Sequence, residues 1–150
     1  MTFTAVARAR PRGGIAIALP FNPADVWGDR DRYYLAGWID HYPMRATVAG
    51  GTPEPMLELG PSWCRDPRKG PGATLNVRLQ PEGPQLETMA SDLAESIRAN
   101  ATARRFFESL ATHYRNGYVG WVEEARRPAT RERRIREVVT ALQAGRRERG

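Results

Sequence analysis

Proline and glycine punctuate the first 85 residues of the chain and become scarce afterwards. Proline fixes φ and removes a donor, and glycine lowers the preference for any one conformation. The first part can therefore hold only short elements joined by turns, while the second is free to form helices. The shift falls at Pro81-Glu82-Gly83-Pro84. It predicts one domain over residues 1–84 and another over 85–150, a size that allows two small domains.

Alternation in the first part predicts strands. Phe3, Ala5 and Ala7 share one face of a first strand, and Ile15, Ile17 and Leu19 one face of a second, after the Gly13-Gly14 turn. Tyr33, Leu35, Gly37 and Ile39 mark a third, and Met44, Ala46 and Val48 a fourth. Leu57 and Leu59 suggest a fifth, and Leu75, Val77 and Leu79 a sixth. Short strands with frequent turns indicate a small barrel or sandwich. An internal repeat at an offset of 40 aligns Leu19 with Leu59, Leu35 with Leu75 and Ile39 with Leu79. Between the aligned strands, Asn22 and Ser62 each supply an N-cap for one helical turn. Two units of strand, turn and strand can close one barrel by pseudo-twofold pairing.

The second part reads as helical. Ser91 is placed to cap a helix carrying Leu93 and Ile97, and Ala103, Phe106, Phe107 and Leu110 fall at helical spacing. Tyr114, Tyr118, Trp121, Val122 and Ala125 line the next helix, capped by Thr112. Pro128 breaks the chain, and Ile135, Val138, Val139 and Leu142 give a last stripe ending at Gly145. These narrow stripes are expected to dock on the strands rather than fold alone. Tyr34, Ala36 and Trp38 make the other face of the third strand apolar, offering a surface to the helices or to a second copy of the chain in a homodimer.

Net charge is +6, and its placement is uneven. Residues 1–125 carry 14 basic and 14 acidic side chains, whereas 126–150 carry nine arginines against Glu132, Glu137 and Glu148. A basic C-terminal helix is most often a solvated face, so weak nucleic-acid binding is the expectation there. Hydrophobic residues at 41% and charged ones at 27% exclude wholesale disorder. The apolar run Ile15–Phe21 is too short to span a bilayer. No signal peptide is expected behind Met1-Thr2-Phe3-Thr4, which favours a cytoplasmic location.

The stretch Tyr118-Val-Gly-Trp121-Val-Glu-Glu-Ala125-Arg-Arg-Pro-Ala-Thr130-Arg131-Glu-Arg-Arg134-Ile135 is similar to Tyr-Val-x-Trp-Ile-x-x-Ala-Lys-Arg-x-Glu-Thr-Arg-x-Arg-Arg-Ile. That pattern belongs to the bacterial family named bacteriocin-protection, YdeI or OmpD-associated. Phe107-x-x-Leu110 before it and Ala144-Gly145-Arg146 after it extend the resemblance. Leu19-Pro20 and Val26-Trp27-Gly28 make the first part resemble the DUF1905 domain. Arg126 stands where the pattern has lysine, and Ala129 where it has glutamate. The resemblance implies an α+β protein: a double-split β-barrel, AbrB-like in shape, followed by a helical domain packed on it. It implies a role in stress or toxin protection and supplies no reaction.

Residues able to carry chemistry are few. Cys64 stands alone, which excludes an internal disulfide, and with His41 and His113 leaves no metal site expected. No nucleophile–base set, Gly-rich phosphate loop or cofactor motif is present. Trp27, Trp38, Arg45 and Trp63 are candidates to line an aromatic ligand pocket in the barrel mouth. Arg131, at the edge of the last stripe, is expected to pair with Glu123 or Glu124. Arg133, Arg134 and Arg136 are expected to point outward toward an anionic partner. The leading expectation is a non-enzymatic binding protein whose partner is a small molecule or a protein. Next come a nucleic-acid binder using the C-terminal arginines and an enzyme with a site at the barrel–helix junction.

Overall fold

In a computed structural model describing residues 1–149, contacts divide the chain into two units, Met1–Pro81 and Glu82–Gly150. The first begins with β1 (Thr2–Val6), β2 (Arg8–Ala9) and β3 (Ile15–Ala18). The short helix α1 (Pro23–Trp27) follows, with Asn22 Oδ1 accepting from the Ala24 amide at 3.1 Å as its sequence position predicts. Then come β4 (Arg32–Ile39), β5 (Tyr42–Ala49), β6 (Met56–Leu59) and β7 (Thr74–Pro81). Asp40 and His41 form the two-residue turn between β4 and β5, Asp40 taking a φ of 51°.

Strand order is β1-β7-β4-β5 in one antiparallel sheet and β2-β3-β6 in the other. Period-2 alternation sends Leu35 and Ile39 of β4, Leu75 and Val77 of β7, Ile15 and Ile17 of β3, and Leu57 of β6 into one shared core. The repeat is visible in the pairing. Equivalent strands β3 and β6 pair antiparallel, with Ile17 opposite Leu57, and so do β4 and β7, with Trp38 opposite Arg78. The second copy's connection holds 3-10 turns at Pro61–Arg65 and Pro67–Lys69; Gly60, not Ser62, is the N-cap of the first.

The expected closed barrel is not what forms. Among the described residues the ladders end at β1 and β5 in one sheet and at β2 and β6 in the other. Between β5 and β6 the chain runs Gly50-Gly51-Thr52-Pro53-Glu54-Pro55. Two prolines there lack the N–H needed to carry a ladder across.

The second unit holds α2 (Ser91–Arg98), α3 (Ala101–Glu108), α4 (Thr112–Glu123) and α5 (Pro128–Gln143). Leu93, Ile97, Phe107, Tyr118, Val122 and Val138 form a core drawn from all four helices. The four apolar stripes bury one another in this core. Ser91 and Thr112 are first helical residues rather than caps, whereas Asn100, unremarked in the sequence, accepts from the Ala103 amide as the cap of α3. Glu82 and Pro84, on the near side of the expected boundary, are held by this unit. The Thr112 hydroxyl donates to Glu82 Oε1 at 2.7 Å, and an Arg115 nitrogen donates to the Pro84 carbonyl at 3.0 Å.

Gly145 ends α5 with φ at 72°. Its amide donates to the Leu142 carbonyl and that of Arg146 to the Ala141 carbonyl, the double bond of a Schellman turn. The Tyr118 hydroxyl then donates to the Arg146 carbonyl, tying the reversed chain to α4. No helix of the described residues is long and apolar enough to cross a membrane.

Candidate functional site

The Schellman turn decides where the C-terminal arginines go. It brings Arg146 and Arg149 beside Arg133 and Arg136, which lie three residues apart on α5. With Trp121 of α4 and Glu137, these four arginines line a groove of about 650 Å³. That size suits a small ligand. Arg149 places its guanidinium carbon 4.2 Å from the Trp121 ring centroid, and Arg134 places its own 5.0 Å away. The one acid in the wall only weakly engages Arg133, at 3.9 Å.

Arg134 is not the outward residue that its position suggested. It is half-buried and donates to the Trp121 carbonyl at 2.7 Å, near the C-terminal end of α4 where a cation is favoured. Arg131 is occupied internally, though by neither Glu123 nor Glu124. It grips Asp92 of α2 with two nitrogens, at 2.7 and 2.8 Å. That fork holds the Asp92 carboxyl at about 2, below its ordinary range, chiefly through the side-chain hydrogen bond from Arg131.

Trp27, Trp38, Arg45 and Trp63 do not come together. Trp27 meets Phe21 edge-on at 5.3 Å and lies 6.1 Å from the Tyr33 ring, half-buried against the core of the first unit. Trp63 meets Tyr42 at 6.0 Å, and Lys69 Nζ sits 4.0 Å from the Trp63 centroid and 3.9 Å from that of Tyr42. Only Trp38 and Arg45 share a recess, on the open face of the larger sheet. His41 is exposed in its turn, and exposed His113 borders a recess of about 270 Å³ with Arg147. Cys64 is half-buried in a 3-10 turn. Among the described residues no group of three histidine, cysteine or carboxylate side chains is placed to hold a metal ion.

One residue central to the second unit carried no sequence signal. Arg115, 1% exposed, donates to the carbonyls of Leu110, Pro84 and Glu108. It closes the C-terminal end of α3 and stacks over Phe107, 5.2 Å from its centroid. A buried cation met by carbonyl dipoles is a structural clamp rather than a reactive group.

The helices that build the groove also decide the comparison with known proteins. Residues 88–145 match the family described as Bacteriocin-protection, YdeI or OmpD-Associated. The bacteriocin-protection match starts at Thr88 and ends at Gly145, so it takes in all four helices and the Schellman glycine. It supplies Trp121, Arg133 and Arg136 of the groove, and Arg146 and Arg149 lie just beyond it. No curated protein matches the chain.

Proposed function

We propose that the protein works by binding, in protection against a bacteriocin or similar stress, and that its partner presents an anionic group to the groove of the second unit. The observation that carries this reading is the gathering of Arg133, Arg136, Arg146 and Arg149 around Trp121 with Glu137 as the one acid in the wall. Guanidinium groups take carboxylate or phosphate two bonds at a time, and the indole adds a flat apolar contact. In the first unit, pairing of equivalent strands supports a double-split ancestry for the two sheets. The test is Arg133→Gln with Arg136→Gln. Cells carrying that variant should lose bacteriocin tolerance, and binding of a multivalent anion such as pyrophosphate should weaken by about tenfold or more. Full tolerance in cells with the groove neutralised would sink the proposal.

A second reading rests on the same charge. The whole excess of +6 lies in residues 126–150, where it would attract a nucleic-acid backbone. On duplex DNA the expected result is weak, sequence-independent retention that disappears near physiological salt. Tight binding to one duplex at that salt would put this reading first.

A further inference from the structure

The open face of the larger sheet carries an aromatic residue where packing does not require one. Trp38 is 46% exposed on β4, the third residue of a same-face row that begins Tyr34 and Ala36. Its ring borders two separate recesses. One, of about 530 Å³, has Ala36 in its lining with Arg45 and Gln80 beside it. The strand register explains the set, because Ala36 lies opposite Arg45 on β5 and opposite Gln80 on β7. The other, of about 290 Å³, is lined by Arg78, Asn76 and Thr2, with Asp40 and His41 of the turn. Arg78 stands directly opposite Trp38. Each recess therefore offers part of one indole, one guanidinium and one side-chain amide.

We propose that this face binds single-stranded nucleic acid, with consecutive bases lodged on either side of Trp38. Every base has a flat face to stack on an indole, and the small side chain of Ala36 leaves room above the sheet for one. Gln80 carries a donor and an acceptor for a base edge, Asn76, whose Oδ1 accepts from the Thr4 hydroxyl at 3.0 Å, has its side-chain N–H groups to donate, and Arg45 and Arg78 add positive charge on either side of the ring for the phosphates. Two recesses that share one ring, though unequal in size, fit a strand rather than a free nucleotide, which would fill only one. Residues 1–125 are neutral overall, so attraction here comes from Arg45 and Arg78, partly offset by Asp40 at the smaller recess, and its salt dependence is shallow. This surface is built from residues of the first unit alone, and the proposal stands independently of the groove in the second.

The experiment is titration of the full chain with an oligothymidylate of about eight nucleotides. Trp38→Ala, Trp38→Phe and the pair Arg45→Gln with Arg78→Gln are compared with Arg133→Gln plus Arg136→Gln. Trp38→Ala should weaken binding by about tenfold or more, while Trp38→Phe retains most of it. The Arg45 and Arg78 pair should lower the slope of log affinity against log salt by about 1.4, at roughly 0.7 per phosphate contact on single strands. Ultraviolet crosslinking should place the thymine adduct on the peptide containing Trp38. Unchanged binding by a folded Trp38→Ala protein, an adduct confined to residues beyond 81, or thymidine monophosphate binding as tightly as the oligomer would each overturn the proposal.

Discussion

Arg115 lies at the point where one side chain answers for three carbonyl groups. Arg115→Ala strands those acceptors in a buried site, and the expected loss is about 3 kcal/mol or more in urea denaturation. Arg115→Lys should recover only part of it, because an ammonium lacks the planar fork. The Asp92–Arg131 pair is more exposed, and its effect is correspondingly smaller. With the Asp92 carboxyl depressed to about 2 in the folded protein, its stabilising effect is present above the ordinary aspartate value near 3.9. It is lost as pH falls from there through about 2. Asp92→Asn should therefore cost about 0.2–1 kcal/mol at neutral pH, and the two stability curves should converge in acid. Both arginines show what a single sequence conceals. Arg131 was recognisable as internally paired from its place at the edge of an apolar stripe, but its partner lies 39 residues away, beyond helical neighbourhood. Arg115 sits between Tyr114 and Asn116 with no motif around it, and its role is set by where the carbonyls of Leu110 and Glu108 nearby and of Pro84, 31 residues away, point.

At the scale of elements, the strands and most helices were legible because burial imposes a period of 2 or 3.6 on the side chains. Each of the six expected strands has its counterpart among β1 and β3 to β7, and the offset of 40 survives as pairing between equivalent strands. The two-residue strand β2 was too short to leave a period. Caps were less legible: Ser91, Thr112 and Ser62 all have the right chemistry, yet the chain enters each helix one or two residues earlier. Of the groove, Arg133 and Arg136 were readable from their helical position, whereas Arg146 and Arg149 join only through the reversal at Gly145. Close strand approach gives a further test. A Cβ added to Gly37 would stand 1.8 Å from the Arg78 carbonyl oxygen, a backbone atom that cannot turn aside. Gly37→Ala should push β4 from β7 and cost about 3 kcal/mol, read as a lowered melting midpoint.

Taken whole, the molecule keeps two separate apolar clusters, one drawn from residues 7–79 and one from residues 86–142. A fragment of residues 82–150 should accordingly melt in one cooperative transition with native helix content, checked by circular dichroism; a broad, non-cooperative loss of signal would show that the helices lean on something further. The two clusters also differ in how far apart along the chain their contributors lie. α2 to α5 follow one another through short connections, so each new helix finds a partner made moments before. β1, by contrast, is hydrogen-bonded to β7, with Phe3 opposite Val77. During synthesis the first strand must therefore wait, its edge unpaired, until more than seventy further residues have been added. Its alternation of Thr2, Phe3, Thr4 and Ala5, with threonines on the outer face, keeps that waiting segment half polar and limits its attraction to other nascent chains.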